Sequence, residues 1–278
     1  MPALKLISSG ACRVGLTPAA GASAERWLFA LAATWPDYAR GFAREPSSEV
    51  REQLMAQFNF PRWHYVNLPT LLVPDAKWQR ALAPDLGATV DGDRRVLNIV
   101  QALELQLATL SSAHTTPAQQ AIALCWLLHL VGDLHQPLHT TALFARGRLE
   151  RGDRGGNDLV LADRRNLHAV WDAALGTTRA RRKVDAVVKE IRAAAPLGHW
   201  QGADFAGWAK AGQLIARDEV YSTALRTSLL NRTLPDYGLL HVALEPDYET
   251  RAGAIARDQA TLAAMRLREL LNRVTQSP

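Results

Sequence analysis

The stretch PAQQAIALCWLLHLVGDLHQPLH, residues 117–139, constrains this chain more than any other. Thr116 reads as a helix N-cap and Pro117 takes the first helical position. The run that follows is apolar nearly all round, the pattern of a helix at the centre of a core rather than on its surface. Yet it carries His129 and Asp133, whose spacing of four puts them on one face. A carboxylate desolvated alone costs too much, so Asp133 must be paired or bind a metal ion. Pro137 ends the helix and turns His139 back toward the same region. His135 falls on a different face from His129 and reads as a hydrogen-bonding histidine of the framework.

Helical periodicity continues along most of the chain. Residues 24–42 read as a helix that Pro36 bends or interrupts, and residues 93–112 as a long amphipathic helix opened by an acidic turn. Further helices are expected over 179–195, 204–225 and 249–274, with a Gly-, Arg- and Asp-rich loop from Leu143 to Asn166. Within that loop NDLVLAD reads as a short strand or hairpin. The expectation is an all-α, single-domain multi-helix bundle with one short β-hairpin loop. With 48% apolar and 21% charged residues the chain has the composition of a globular protein, which excludes a disordered tail or a membrane bundle. No apolar run reaches the length that crosses a bilayer. The net charge of +5 is compatible with a polyanionic partner without requiring one. The basic loop RGRLERGD reads as a solvated surface. Most of the eight Trp are expected inside.

Cysteine usage narrows the chemistry. Cys12 and Cys125 are the only two, with no disulfide framework and no thiolate zinc pattern. Cys125 reads as a small buried hydrophobe, so any metal here is held by histidines and carboxylates. A second His-x-x-x-Asp pair, His168 and Asp172 in NLHAVWD, repeats the helical spacing of the first. One such pair is weak; two, one of them inside an apolar helix, point to ligands around a shared cavity. His64 lies between aromatics in PRWHYVNLP, and Asp37 and Arg40 follow Pro36 in ATWPDYARG. In isolation His64 reads as a core histidine and Asp37 as an N-cap.

Together WHYVNLP, HLVGDLHQPLH, RGGNDLV and NLHAVWD resemble, in their order along the chain, the zinc-dependent, single-strand-specific nucleases of the mung bean nuclease type (the S-one/P-one nuclease family), distant relatives of bacterial zinc phospholipase C. QATLAAMRLRELLN is similar to the last helix of that family. The resemblance implies an all-α fold with zinc clustered in a cleft. It implies Asp37, His64, His129 and Asp133 on one zinc, and His139, His168 and Asp172 on a second that stays open to water. It makes Asp37 and Arg40 catalytic, with Arg40 stabilising charge on the phosphoryl group. Tyr65 becomes the aromatic on which a base stacks, and Asn67 and Asn157 line the same pocket. The implied reaction is hydrolysis of single-stranded DNA and RNA to 5′-phosphorylated products, with a 3′-nucleotidase activity beside it, and no stable protein partner is implied. The lack of a disulfide framework fits a bacterial member, and the family is normally periplasmic or secreted.

Residues 1–24 depart from that pattern. They carry an early Lys and an Ala-Ser-Ala like a cleavage site, but Arg13 interrupts the apolar stretch of a signal peptide. Family members begin with a Trp, followed five residues on by a His, that hold a third zinc together with the counterpart of Asp133; here no His precedes His64. The expected organisation is an atypical segment over 1–24 and a nuclease domain over 25–278, with ligands complete for two zincs. Three alternatives stand beside the nuclease: a phospholipase C on the same scaffold, a degenerate zinc-binding relative without catalysis, and an all-α protein whose histidines merely hydrogen-bond.

Overall fold

The computed structural model describes residues 24–39, 56–87, 92–147, 149–177, 181–194, 202–231 and 238–276. In chain order the elements are α1 (Ala24–Ala39), a 3-10 turn (Pro61–His64), β1 (Leu68–Leu71), α2 (Ala76–Leu82), α3 (Ile99–Ser111), α4 (Pro117–Leu134), a 3-10 turn (Pro137–His139), β2 (Thr141–Phe144), β3 (Leu159–Val160), α5 (Leu167–Asp172), α6 (Arg181–Ala194), α7 (Phe205–Ile215), α8 (Thr223–Leu230), β4 (Leu240–His241) and α9 (Tyr248–Gln276). Helices dominate and the strands form two two-stranded sheets, so the chain is all-α with short strands. None of the described helices is long and apolar enough to cross a membrane. Two compact units are formed. One takes its described residues from Met1–His64, Gly87–Asp133 and Leu267–Pro278, the other from Tyr65–Leu86 and Leu134–Arg266.

The first unit is built on α3 and α4. The helix expected from Asp93 starts later, at Ile99, because Asn98 forms a capping box with Gln101: its side chain accepts from Val100 N–H at 3.0 Å, and Gln101 Oε1 accepts from Asn98 N–H at 3.1 Å. The acidic turn that seemed to open it is a separate 3-10 turn, Arg94–Val96, capped by Asp93. Thr116 and Gln119 close a similar reciprocal cap on α4, with Gln119 Oε1 accepting from Thr116 N–H at 2.8 Å. α4 then buries Cys125, Trp126, Leu127, Leu130 and Val131 to 1% exposure or less, as its all-round apolarity requires. Trp126 is the hub of an aromatic cluster. Trp63 meets it edge-on at 4.7 Å, Phe60 stacks on Trp63 at 4.2 Å, and Trp35 meets it at 6.4 Å. Truncating such a residue to Ala leaves a cavity worth about 3–5 kcal/mol. α1 carries Pro36 without ending there; it runs on to Ala39, so Pro36 removes one backbone bond while burial of Trp35 and Pro36 holds the helix.

The second unit holds both sheets. β1 pairs in parallel with β2, Leu68 against Thr141 through Leu71 against Phe144. The ladder is extended by Val66 N–H to His139 O at 2.8 Å and Leu72 N–H to Phe144 O at 2.8 Å. The start of the expected Leu143–Asn166 loop is therefore strand. β3 lies in NDLVLAD, where a strand or hairpin was expected, but its ladder partner is β4, in parallel; the chain then turns back tightly, with Leu161 N–H donating to Arg165 O at 2.8 Å. The single helix expected over 204–225 divides. α7 passes into a π turn, Ala216–Val220, and Ser222 caps a new helix, α8, by accepting from Leu225 N–H. The break buries Tyr221 completely and lets its hydroxyl donate to Asp153 at 2.9 Å.

Asp153 is itself fully buried, and that burial pushes its carboxyl up to about 6 against the pull of donors from Leu143, Tyr221 and Gly156. A carboxyl raised in the folded state binds protons more tightly than in the unfolded chain. It therefore favours folding at acid pH and loses that contribution as pH climbs from about 4 to about 6. The unfolding free energy of the parent relative to Asp153→Asn is expected to fall by up to about 3 kcal/mol over that window, checked by urea unfolding of both at several pH values. A difference independent of pH would contradict it.

Candidate metal centre

In the first unit three elements converge. Asp37 is near the end of α1, His64 closes the 3-10 turn behind buried Trp63, and His129 and Asp133 sit one turn apart on α4. Asp37, His64 and His129 each offer a ligand atom within 4.8 Å of the others. His64 Nδ1 is 2.9 Å from Asp133 Oδ2, His129 Nε2 is 3.1 Å from both of those atoms, and Asp37 Oδ1 is 3.7 Å from His129 Nε2. His64 is 2% exposed and packs edge-on to Trp126.

The His129 tautomer follows from its neighbours. Nδ1 lies 2.8 Å from the Ala33 carbonyl, which can only accept, so Nδ1 carries the proton and donates. In the neutral ring Nε2 is then an acceptor, and it faces the carboxylate of Asp133, also an acceptor, at 3.1 Å. That contact is favourable only if the ring takes a second proton or a cation lies between. Burial works against charge on His129, but Asp133, then Asp37 and the Ala33 carbonyl, outweigh it and hold its pKa above the ordinary value of 6.5.

The second unit repeats the logic with His139, His168 and Asp172, whose ligand atoms also lie within 4.8 Å of one another. The turn Pro137–His139 starts at Gln136, which caps Leu138 and donates its amide to Asp172 Oδ1 at 3.0 Å. The His139 carbonyl is pinned by Val66 N–H. α5 is capped by Asn166 and presents His168 and Asp172 one turn apart. His168 Nδ1 donates to Gly155 O at 2.8 Å, which turns Nε2 toward Asp172 Oδ2 at 3.6 Å; His139 Nε2 is 3.9 Å from Asp172 Oδ1. Desolvation raises the Asp172 pKa, but His139, His168 and Gln136 outweigh it and hold it below the ordinary carboxylate value. In both groups a backbone carbonyl orients an imidazole so that its Nε2 meets carboxylate oxygen, the arrangement of a metal-ligating histidine.

The remaining expected site residues are placed individually. Tyr65 is exposed and Asn67 half-buried at the entry to β1. Asn157 donates to Arg154 O at 2.8 Å and accepts from Asn166 at 3.3 Å, bracing the cap of α5. Arg40, the Cys12 position and most of the atypical segment 1–24 lie outside the described residues. His135 is buried, accepts from Arg266 Nη1 at 2.7 Å and packs on Trp208. Sequence reasoning missed Gln136 and the carbonyls of Ala33 and Gly155. Gln136 had a signal, a polar side chain just before a proline at the first position of a turn; the carbonyls had none, because every residue has one.

The sequence matches the S1/P1 nuclease family over residues 16–276. The chain belongs to that family. Among its relatives, Endonuclease 4 of Arabidopsis thaliana is 30% identical over 145 residues, 50% of this chain and 40% of that protein. Endonuclease 5 of the same plant is 45% identical over 53 residues, 18% of this chain and 15% of that one. Endonuclease 1 is 29% identical over 108 residues, 36% and 32%. The aligned part thus spans less than half the length of each of these endonucleases.

For this S1/P1 family member, the raised His129 pKa sets how a metal would act on stability. Without metal, the proton on His129 supplies stability that is full below 6.5 and is lost as pH rises through the raised value. A cation replaces that proton and competes with it less as pH rises. The rise in Tm on adding a divalent transition metal is therefore expected to be larger at pH 8 than at pH 6. Equal rises at both, by calorimetry, would argue against metal at His129.

Proposed function

We propose that the protein is a zinc-dependent endonuclease that hydrolyses single-stranded DNA and RNA to 5′-phosphorylated products, with 3′-nucleotidase activity at the same site. The observation that carries this reading is the pair of His/Asp groups, each with an imidazole locked by a carbonyl so that acceptors face acceptors, in a chain of the S1/P1 nuclease family. Nitrogen and oxygen donors without thiolate suit zinc in a hydrolytic site. Tetrahedral zinc with bonds of about 2.0–2.1 Å needs its donors roughly 3.3 Å apart. The separations of 2.9–3.7 Å in the first group bracket that value, and those of 3.6 and 3.9 Å in the second lie within about 0.6 Å above it. The residues present therefore fit the ion.

Asp37, His64, His129 and Asp133 would hold one zinc, and His139, His168 and Asp172 a second. Zinc at such sites supplies Lewis-acid charge to a phosphoryl group and activates water at neutral pH. The chain's own groups do the rest. Ala33 and Gly155 hold the proton of each neutral ring on Nδ1, so that Nε2 is the ligand nitrogen of His129 and His168, and Gln136 aims the Asp172 carboxylate. Arg40 would neutralise charge on the phosphoryl oxygens. Tyr65, 38% exposed, offers a ring for base stacking, worth about 1–3 kcal/mol per base and tolerant of sequence. Asn67 and Asn157 would hydrogen-bond the stacked base, which must be splayed out, hence the preference for single strands.

The zinc-loaded protein should degrade single-stranded DNA and RNA, leave duplex largely intact, generate 5′-phosphate ends and lose activity to a chelator. His129→Ala and Asp172→Ala are expected to lower turnover by on the order of a thousandfold or more, since a metal contributes several kcal/mol to such a transition state. His135→Gln should cost far less, because His135 braces Arg266. A zinc-loaded parent inert toward every nucleic acid would end this reading, and hydrolysis of phosphatidylcholine in its place would make the protein a phospholipase C.

A further inference from the structure

Asp153 lies outside both ligand groups, yet it controls the segment on which His168 leans. Its carboxylate is fully buried and takes three donors: Leu143 N–H at 2.8 Å, Tyr221 O–H at 2.9 Å and the Gly156 N–H. Its backbone is tied as firmly, with Asp153 N–H donating to Leu143 O at 3.0 Å and Asp158 N–H to Asp153 O at 3.1 Å. The next three residues, Arg154, Gly155 and Gly156, are all left-handed, with φ of 53°, 61° and 80°. Such a run is not favoured locally, least of all at Arg154, so it persists because its surroundings impose it.

Those surroundings are ligand-bearing elements. A Cβ on Gly155 would stand 2.5 Å from the Leu138 carbonyl, in the turn that carries His139. A Cβ on Gly156 would stand 3.2 Å from the backbone nitrogen of His168. The loop thus lies wedged between the two, and its Gly155 carbonyl takes the His168 Nδ1 proton while its Gly156 carbonyl accepts from His168 N–H at 3.4 Å.

We infer that Asp153 is a positioning residue for the metal group of His139, His168 and Asp172: it clamps the left-handed 154–156 loop to β2 and Tyr221, and so holds the Gly155 carbonyl that dictates the tautomer and ring angle of His168. It touches neither metal nor substrate. Asparagine has the same shape but only one acceptor oxygen, and its amide would put N–H against a donor. Asp153→Asn therefore opens no cavity while releasing part of the clamp. The inference rests on the zinc-nuclease reading above.

The test is zinc affinity by chelator competition on the full chain at neutral pH. In Asp153→Asn the affinity of the His139 group is expected to fall about 10–100-fold, the usual cost of losing an outer support, while that of the His64 and His129 group stays at the parent value. Tyr221→Phe, which removes one donor and no packing, should move the same affinity in the same direction by less. Leu229→Ala, in the core of the same unit and 0% exposed, should lower Tm without changing either affinity. Nitrogen-15 spectra of the imidazoles should show His168 protonated at Nδ1 in the parent and as a tautomer mixture in Asp153→Asn. Unchanged affinity and an unchanged His168 tautomer in both Asp153→Asn and Tyr221→Phe would overturn the inference, as would an equal affinity loss in Leu229→Ala. If instead His168→Ala leaves the parent's zinc content untouched, it is the metal reading that fails.

Discussion

A carbonyl oxygen that can only accept, set against an imidazole that must place its proton somewhere, is the constraint on which both ligand groups depend. Ala33 O does this for His129 and Gly155 O for His168. Each forces the remaining ring nitrogen to be an electron pair, and each electron pair meets carboxylate oxygen. Without that constraint either histidine could rotate or change tautomer and satisfy itself by an ordinary hydrogen bond to its neighbouring aspartate. With it, Asp133 and Asp37 draw a second proton toward His129 and raise its pKa, while His139, His168 and Gln136 hold the Asp172 pKa down. A site that leans toward a second proton can take a cation in its place.

The elements that enforce this differ between the two units. In the first, rigidity comes from packing: His64 rests on Trp126, and the cluster of Trp35, Phe60, Trp63 and Trp126 leaves the His64 and His129 rings little freedom. Such an interior resists small displacements because it is close-packed. In the second, rigidity comes from hydrogen bonds made by irregular backbone. The turn bearing His139 is pinned to β1, and the loop that orients His168 is held in left-handed conformations by a buried carboxylate. The aromatic packing leaves the indole N–H groups of Trp35 and Trp126 buried without a hydrogen-bond partner among the described residues, whereas the polar clamp demands that every donor and acceptor be matched.

Much of this could be read along the chain. The i, i+4 pairs His129/Asp133 and His168/Asp172 are helical facts, and both pairs sit on helices, one turn apart, as their spacing requires. Apolarity all round α4 marks it as central, and its middle turn, Cys125–Leu128, is buried on every side. What was not legible is non-local or local in a different way. The β1–β2 ladder joins Leu68 to Thr141 through strands of four residues, too short for periodicity to register and too far apart to pair on paper. The start of α3 was displaced by Asn98, whose cap competes with the more conspicuous Asp93. The division between α7 and α8 accompanies Tyr221 reaching Asp153, a contact across 68 residues of sequence.

The sequence by itself determined the helical class, the family and the identity of the candidate ligands, because residue type and helical spacing are properties of the chain. Only the tertiary structure decided which way each ligand's lone pair points. That depends on backbone carbonyls of Ala33 and Gly155, groups common to all residues and hence invisible in a sequence, brought against the imidazoles by folds of the chain that no local preference encodes.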